Sequence, residues 1–478
     1  MSNLPTFVPD ELRLSSDDSY LLGVQQRQQN KIVPSQGSNG YRYEGTNQIE
    51  FNWSHGDATD LATTMLVFNW LATTGNNTTR DTAGSVSMAS DVVDRVEFYI
   101  DSTEVLSSTN TQISTVQNIL MFSEFPADYF EREGTMLMGH SSQLINPSHK
   151  TNDGTVGVTT QVAESSTSPA TGRVFCVPLW ALHNGFSQAK VCPVLGSNMR
   201  IVLHLNPPEK VLNTRASATS SYVLNNVYLL EDRLILTPDY KSSLMSAIRS
   251  EEGFKINFID YDITAHNITG ANVEHLVVRN DHSNALSLSL FNSYLPNWRA
   301  DISGGNPAVD FAVQASYPNL DVDVAKRCEN LKVECGNLRF TGLRGSESVA
   351  EHFSHLERAN GSLAKASDTG CFDYYNYSSS KAGKLPLRNG GQISGHKNAT
   401  VNFSPLVVSL EKTILGDTDS SIVNRGLNST DPMASRDIEV SLQFPSGQQL
   451  DNQKERLFTA IIYEKALVMR NGQITIEH

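Results

Sequence analysis

Apolar and polar residues alternate in short runs along the first half of the chain. Gln48-Ile49-Glu50-Phe51-Asn52-Trp53 alternates strictly, the pattern of a strand with one face buried. Met65 to Leu71 is a more continuous apolar strand, and Val92 to Ile100 places Val96, Phe98 and Ile100 on one face. Phe175-Cys176-Val177-Pro178-Leu179, Met199 to Leu205 and the long run Tyr222 to Leu236 complete the strand set of this half. The period changes over Asn110 to Phe122, where Ile113, Val116 and Leu120 lie three and four apart. A helix is expected there, stopped before Pro126. Asp10 to Gln28 reads as a short helix and Pro34 to Gly40 as a turn-rich linker.

At the middle of the chain Thr237-Pro238-Asp239 ends the long strand, because proline cannot donate to a ladder. Asp239 is then placed to cap a short helix with Leu244, Met245 and Ile248 on one face. A fresh strand runs from Phe254 to Ile263, followed by Val273 to Arg279 and Leu286 to Phe291. Ser346 to Leu363 carries Val349, Phe353, Leu356 and Leu363 at helical spacing. Ser346 lacks the acidic partner of a capping box, while Glu347 suits the first turn. Ile438 to Phe444 and Leu457 to Met469 are strands, and Gln473 to Ile476 a short edge strand.

The halves share an order of parts. Each runs from early strands to one helix, a long polar loop, a Phe–Pro–Leu turn (Phe175 to Leu179, Phe403 to Leu406), a strand after an arginine, and a last long strand. The fold class expected is all-β: two tandem eight-stranded jelly rolls with short helices in the connections. The expected division is an N-terminal segment 1–45, a first jelly roll 46–238, a connecting helix 239–252 and a second jelly roll 253–478. At 478 residues the chain is too long for one core, which agrees with two units.

Charge and cysteine usage narrow the function. The net charge is −14, and Arg13, Arg27, Lys31 and Arg42 are balanced by Asp10, Glu11, Asp17, Asp18 and Glu44, so no basic arm is present for phosphate binding. Cys176, Cys192, Cys328, Cys335 and Cys371 form no CxxC, and reduced thiols are expected. No apolar signal stretch opens the chain and no run approaches a membrane span. Assembly inside a cell without secretion is the expectation.

Candidate chemistry is sparse. Neither a phosphate loop nor HExxH occurs. Gly139-His140-Ser141-Ser142-Gln143 lacks the second glycine of a nucleophile elbow. His352 and His355, beside Glu347 and Glu351, have ligand types for a metal, but Phe353 and Leu356 define the buried stripe, so both histidines are expected to face solvent or a loop. Asp321 and Asp323 share a face of a strand-like stretch and read as solvated. Cys328 and Cys335 read as small buried residues, and Trp53, Trp70, Trp180 and Trp298 as packing aromatics. No catalytic residue, metal or cofactor is assigned.

Several stretches carry a family resemblance. They are Tyr228-Leu229-Leu230-Glu231 through Pro238 to the Leu244–Ile248 helix, the opening Phe254-Lys255-Ile256-Asn257-Phe258, Ser316-Tyr317-Pro318, Gly336-Asn337-Leu338-Arg339-Phe340, and Glu351 to Gly361 (EHFSHLERANG). In these and in the order of its parts the chain resembles the double jelly-roll major capsid proteins of double-stranded DNA viruses, most closely those of polinton-like viruses and virophages. The resemblance implies a structural protein of the virion. It implies a homotrimer forming a pseudo-hexagonal capsomer in an icosahedral shell, with neighbouring capsomers, penton and minor capsid proteins as partners. Outer loops would be free to meet a host receptor, and no sequence-specific nucleic-acid binding is implied. The polar segments Thr73–Ser90, Asn146–Thr171, Gly361–Thr400 and Gly416–Pro432 suit such an outer surface. The alternative from another class is a tandem β-sandwich carbohydrate-binding protein, a lectin or adhesin. A β-sandwich hydrolase is a third, for which no convincing carboxylate pair can be named.

Overall fold

The computed structural model describes residues 23–74, 89–124, 173–211, 220–251, 253–294, 322–359, 377, 404–411, 426–429 and 435–477. The first unit contains β1 (Val24–Ile32), β2 (Gln48–Trp53), β3 (Ala58–Thr74), β4 (Val93–Ile100), β5 (Thr103–Leu106), β6 (Arg173–Pro178), the two-residue β7 (Cys192–Pro193), β8 (Met199–Leu205) and β9 (Ser220–Leu236). One sheet has the order β1-β9-β3-β6, with β7 beside β3, and the other β2-β8-β4-β5. The second unit contains β10 (Phe254–His266), β11 (Val273–Arg279), β12 (Ala285–Tyr294), β13 (Asn330–Cys335), β14 (Leu338–Arg339), β15 (Leu406–Ser409), β16 (Asp437–Gln443), β17 (Glu455–Arg470) and β18 (Gln473–Glu477). Its sheets are β10-β17-β12-β15, with β18 on β17, and β11-β16-β13-β14.

With β7 and β18 set aside, the two orders coincide strand for strand. The first, eighth, third and sixth strands of each unit make one sheet, and the second, seventh, fourth and fifth the other. Each unit is an eight-stranded jelly roll. Helix α1 (Ile113–Glu124) and helix α3 (Val349–Ala359) both lie between the fifth and sixth strands of their roll. The internal repeat thus extends to its helices, although α1 enters the core with Ile113, Val116 and Ile119 while α3 packs on β15.

Helix α2 (Pro238–Arg249) joins the rolls. Thr237 caps it, its side chain accepting from Tyr240 N at 3.3 Å, with Pro238 in the first turn where its missing N–H costs nothing. The cap is therefore Thr237 and not Asp239, which sits in the first turn. Leu244 and Ala247 are buried against Ala58, Val191, Leu234 and Leu236, with Ile248 and Phe254 beside them. A solvated linker has no such packing.

Of the helix expected over Asp10 to Gln28, Gly23 is helical but Val24 to Gln28 lie in β1, and residues 10–22 are outside the described residues. The proposed segment 1–45 accordingly contains a strand of the first sheet. Its sequence, VQQRQQNKI, hides this because β1 is an edge strand exposed along most of its length. Without a buried face it carries no alternation. Register with β9 holds it instead, together with Arg27, which donates to Asp60 and Asp232 at 2.8 Å each.

Candidate functional site: the seam between the rolls

β10 and β17 run longer than their neighbours, and the face carrying Ile256, Phe258, Asp260, Lys465 and Leu467 continues toward the first roll. Phe258 packs against Phe98 with ring centroids 6.3 Å apart, and Phe98 in turn meets Phe186 edge-on at 5.4 Å. Gly185 lets this approach happen. A Cβ there would stand 2.5 Å from the carbonyl oxygen of Ile259 and 2.9 Å from Leu106 Cδ2.

Polar groups fix the register of the seam. β10 is an edge strand, so every second N–H and C=O along it lacks a strand partner. Asn110 fills two of these places: its amide nitrogen donates to Tyr261 O, and its amide oxygen accepts from Ile263 N at 3.2 Å. One side chain reproduces the hydrogen bonding of a strand residue. The Tyr261 hydroxyl then donates to Gln117 Oε1 at 3.0 Å and accepts from Asn184 N at 3.2 Å.

Asp260 lies beside this contact, buried. It accepts from Ser107 N of the first roll at 3.1 Å, from Tyr261 N at 2.8 Å and from the Tyr463 hydroxyl at 3.3 Å, and takes the ammonium of Lys465. His183 Nδ1 accepts from Gly185 N at 3.0 Å, so its Nε2 edge faces Asp260 Oδ1, 3.4 Å away. Burial pushes the Asp260 carboxyl upward, but His183 and the Lys465 ammonium outweigh it and hold the group well below the usual carboxylate range. Burial, with the charges of Asp260 and Asp262, drives the Tyr463 phenol upward, so it stays a donor. The arrangement orients the two rolls against each other.

The residues singled out from sequence fall elsewhere. His352 does not face solvent: it is 0% exposed, its Nδ1 2.7 Å from Ser346 Oγ and its Nε2 3.2 Å from Cys328 O. The carbonyl can only accept, so Nε2 donates and Ser346 donates to Nδ1. A serine, a histidine and an orienting acceptor have the connectivity of a nucleophile and its base, yet Ser346 is 1% exposed and no substrate reaches it. The pair pins the start of α3 to the residues that lead into β13. Apolar spacing missed His352 because a paired histidine packs like an apolar residue. Ser348 and Glu351 supply the cap that Ser346 lacks, Glu351 N donating to Ser348 Oγ at 3.3 Å and Glu351 accepting from Glu347 N at 2.6 Å. Asp323 is not on a strand face; it opens a helical turn and binds Arg327 at 2.7 Å, with Glu455 on the same guanidinium. Asp321 and His140 to Gln143 are outside the described residues.

Cys176, Cys192, Cys328 and Cys335 form no disulfide, and burial pushes the thiols of Cys192 and Cys328 up to about 12. Cys328 and Cys335 do not meet; their sulfurs turn to Asn330 O and Ser435 O. Trp53 and Trp70 are buried, and Trp180 is packed against the core. Among the described residues no group of three or more His, Cys, Asp or Glu side chains is placed to hold a metal, and no helix is long and apolar enough to cross a membrane.

No family model matches the sequence. No curated protein matches it either. Solved structures do. A chain in the cryo-electron microscopy structure of the Sputnik virophage matches with a TM-score of 0.54 at 12% identity, covering 100% of this chain and 94% of that one. The fold is the double jelly roll. PBCV-1 VP54, fitted into a reconstruction of Sputnik, matches with a TM-score of 0.53 at 12% identity over 95% of this chain and 96% of that one. A chain of the PBCV-1 virus capsid matches at 0.50 and 13%, with 95% and 96% covered. The likeness spans both rolls and the join of this double jelly roll, so the order of parts shared by the halves belongs to the whole architecture.

Proposed function

We propose that this chain is a major capsid protein, a structural component of the icosahedral shell of a double-stranded DNA virus. The observation that carries the reading is the rigid coupling of two complete jelly rolls through α2 and the seam, in a fold that matches virophage and virus capsid chains end to end. A shell tile must hold its shape under lateral load, and a buried seam with fixed register supplies that. The described rolls support a division at α2, with residues 24–236 in the first roll and 254–477 in the second.

In this reading three copies form a pseudo-hexagonal capsomer, which meets neighbouring capsomers, penton and minor proteins in the wall. The role is structural and not enzymatic. The net charge of −14 suits a wall whose genome is packed by other machinery. Light scattering and negative-stain microscopy of the purified protein test the proposal: trimers, and shells or capsomer arrays on concentration, are expected. A monomer across micromolar concentrations overturns it.

A further inference from the structure

Among the described residues lysine meets a carboxylate at four places. The side chains of Lys241, Lys255 and Lys454 are 30–49% exposed, so water surrounds those contacts. Lys465 is 5% and Asp260 0% exposed. The two lie on adjacent strands, Asp260 opposite Tyr463 and Lys465 opposite Phe258, and the Lys465 ammonium meets Asp260 Oδ2. An amine and a carboxyl held in contact without water are the two halves of an amide.

We propose that Lys465 and Asp260 condense within the folded chain into a side-chain amide that staples β10 to β17. The ion pair is the state from which the bond forms. A charged pair does not react, so one proton first passes from Nζ to Oδ2 along the hydrogen bond they share. Lysine can release that proton where arginine cannot, and burial favours a neutral pair over a charged one. The amine then adds to Cγ of Asp260. Charge developing on Oδ1 meets the Tyr261 N–H at 2.8 Å and the Nε2 edge of His183 at 3.4 Å. Because His183 Nδ1 accepts from Gly185 N, Nε2 carries a hydrogen to donate. A second Nζ proton moves to Oδ2, the Cγ–Oδ2 bond breaks and one water leaves. Ser107 N at 3.1 Å and the Tyr463 hydroxyl at 3.3 Å already face that oxygen and ease its departure. The third Nζ hydrogen remains as the amide N–H, and the step needs no oxidant or co-reactant.

Holding the two groups in place replaces an encounter in solution, an advantage equivalent to about 10⁵–10⁸ M in well-oriented cases. The same burial keeps water, the reactant of the reverse step, away. The bond closes a loop whose ends are 205 positions apart and restrains the unfolded chain as a disulfide does. The described cysteines form no disulfide, so this is a covalent brace that does not depend on redox conditions. The inference does not rest on the assembly reading.

The test is the intact mass of the denatured full-length protein, followed by peptide mapping. The wild type is expected to be lighter by one water than its sequence requires. Digestion should release a branched peptide that joins the segment carrying Asp260 to the segment carrying Lys465. Lys465→Arg keeps a positive charge beside Asp260 but has no amine to condense, and should have its full sequence mass and no branched peptide. The wild type decides the matter even where that variant folds poorly. A wild type that keeps its full mass after prolonged incubation overturns the inference. So does a loss of water that maps to any other pair of residues or persists in Lys465→Arg.

Discussion

Lys465 and Asp260 sit on neighbouring strands and join their charges out of solvent, directly under the contact between the two rolls. Removing one partner leaves the other charge buried. Lys465→Met should therefore destabilise the protein by about 3–5 kcal/mol, whereas Lys465→Met combined with Asp260→Asn should recover a large part of the loss. Urea unfolding of the three proteins checks this. Equal stability of the single variant and the wild type would mean that water reaches the pair.

Asn110→Ala removes both hydrogen bonds that its amide makes to β10, leaving Tyr261 O and Ile263 N without them. A loss of about 1–3 kcal/mol is expected. Hydrogen exchange should locate the change: the amide of Ile263 loses protection, while those of β11 and β16 keep theirs. Unaltered exchange at Ile263 would contradict the strand-like role given to Asn110.

The join has unequal positions. Leu244 is 1% exposed and Ile248 only partly buried. Leu244→Ser should cost at least the ~2–5 kcal/mol of a large-to-small core change, and Ile248→Ser less. Melting that is unchanged in the double variant would show that α2 does not couple the rolls.

Stability should fall on acidification. Burial holds the imidazoles of His204, His266, His352 and His355 below the ordinary value of 6.5. In the unfolded chain they take up protons as pH drops through that value; in the folded chain they do so only at lower pH. The unfolded state then binds more protons, so stability is full above pH 6.5 and declines below it, until the folded groups also titrate. The urea midpoint should be lower at pH 5.5 than at 7.5, and His352→Gln should show a shallower decline. A midpoint that rises on acidification would reverse the sign.

Strands with one buried face were legible in the chain. Gln48–Trp53, Met199–Leu205 and Val273–Arg279 have the expected bounds because burial imposes the alternation that sequence displays. β1 was not, since neither of its faces needs apolar residues. The seam was not legible either. Asp260 and Lys465 are 205 positions apart, and nothing local distinguishes a charge that will be buried from one left in water. Asn110 reads as the first residue of a helix that in fact begins at Ile113, because its partners are backbone groups of a strand that composition cannot point to. His352 was hidden by its own satisfaction: with both nitrogens bonded, it occupies an apolar position on α3.

β17 is at once the partner of β10 and β12 in the second roll and the source of Lys465. The strand that completes the second roll and brings Lys465 to Asp260 is therefore made long after β10. By then β1 to β9 have long been available to close on one another, while β10 must wait roughly 200 residues for its neighbour. Until β17 arrives, Phe98, Phe186 and Asn110 have no settled second roll to hold, and a chain broken off before Glu455 can finish neither. Coupling of the two rolls therefore waits for β17: only a chain that includes that strand presents the joined pair, and one that stops before it is left with bare surfaces.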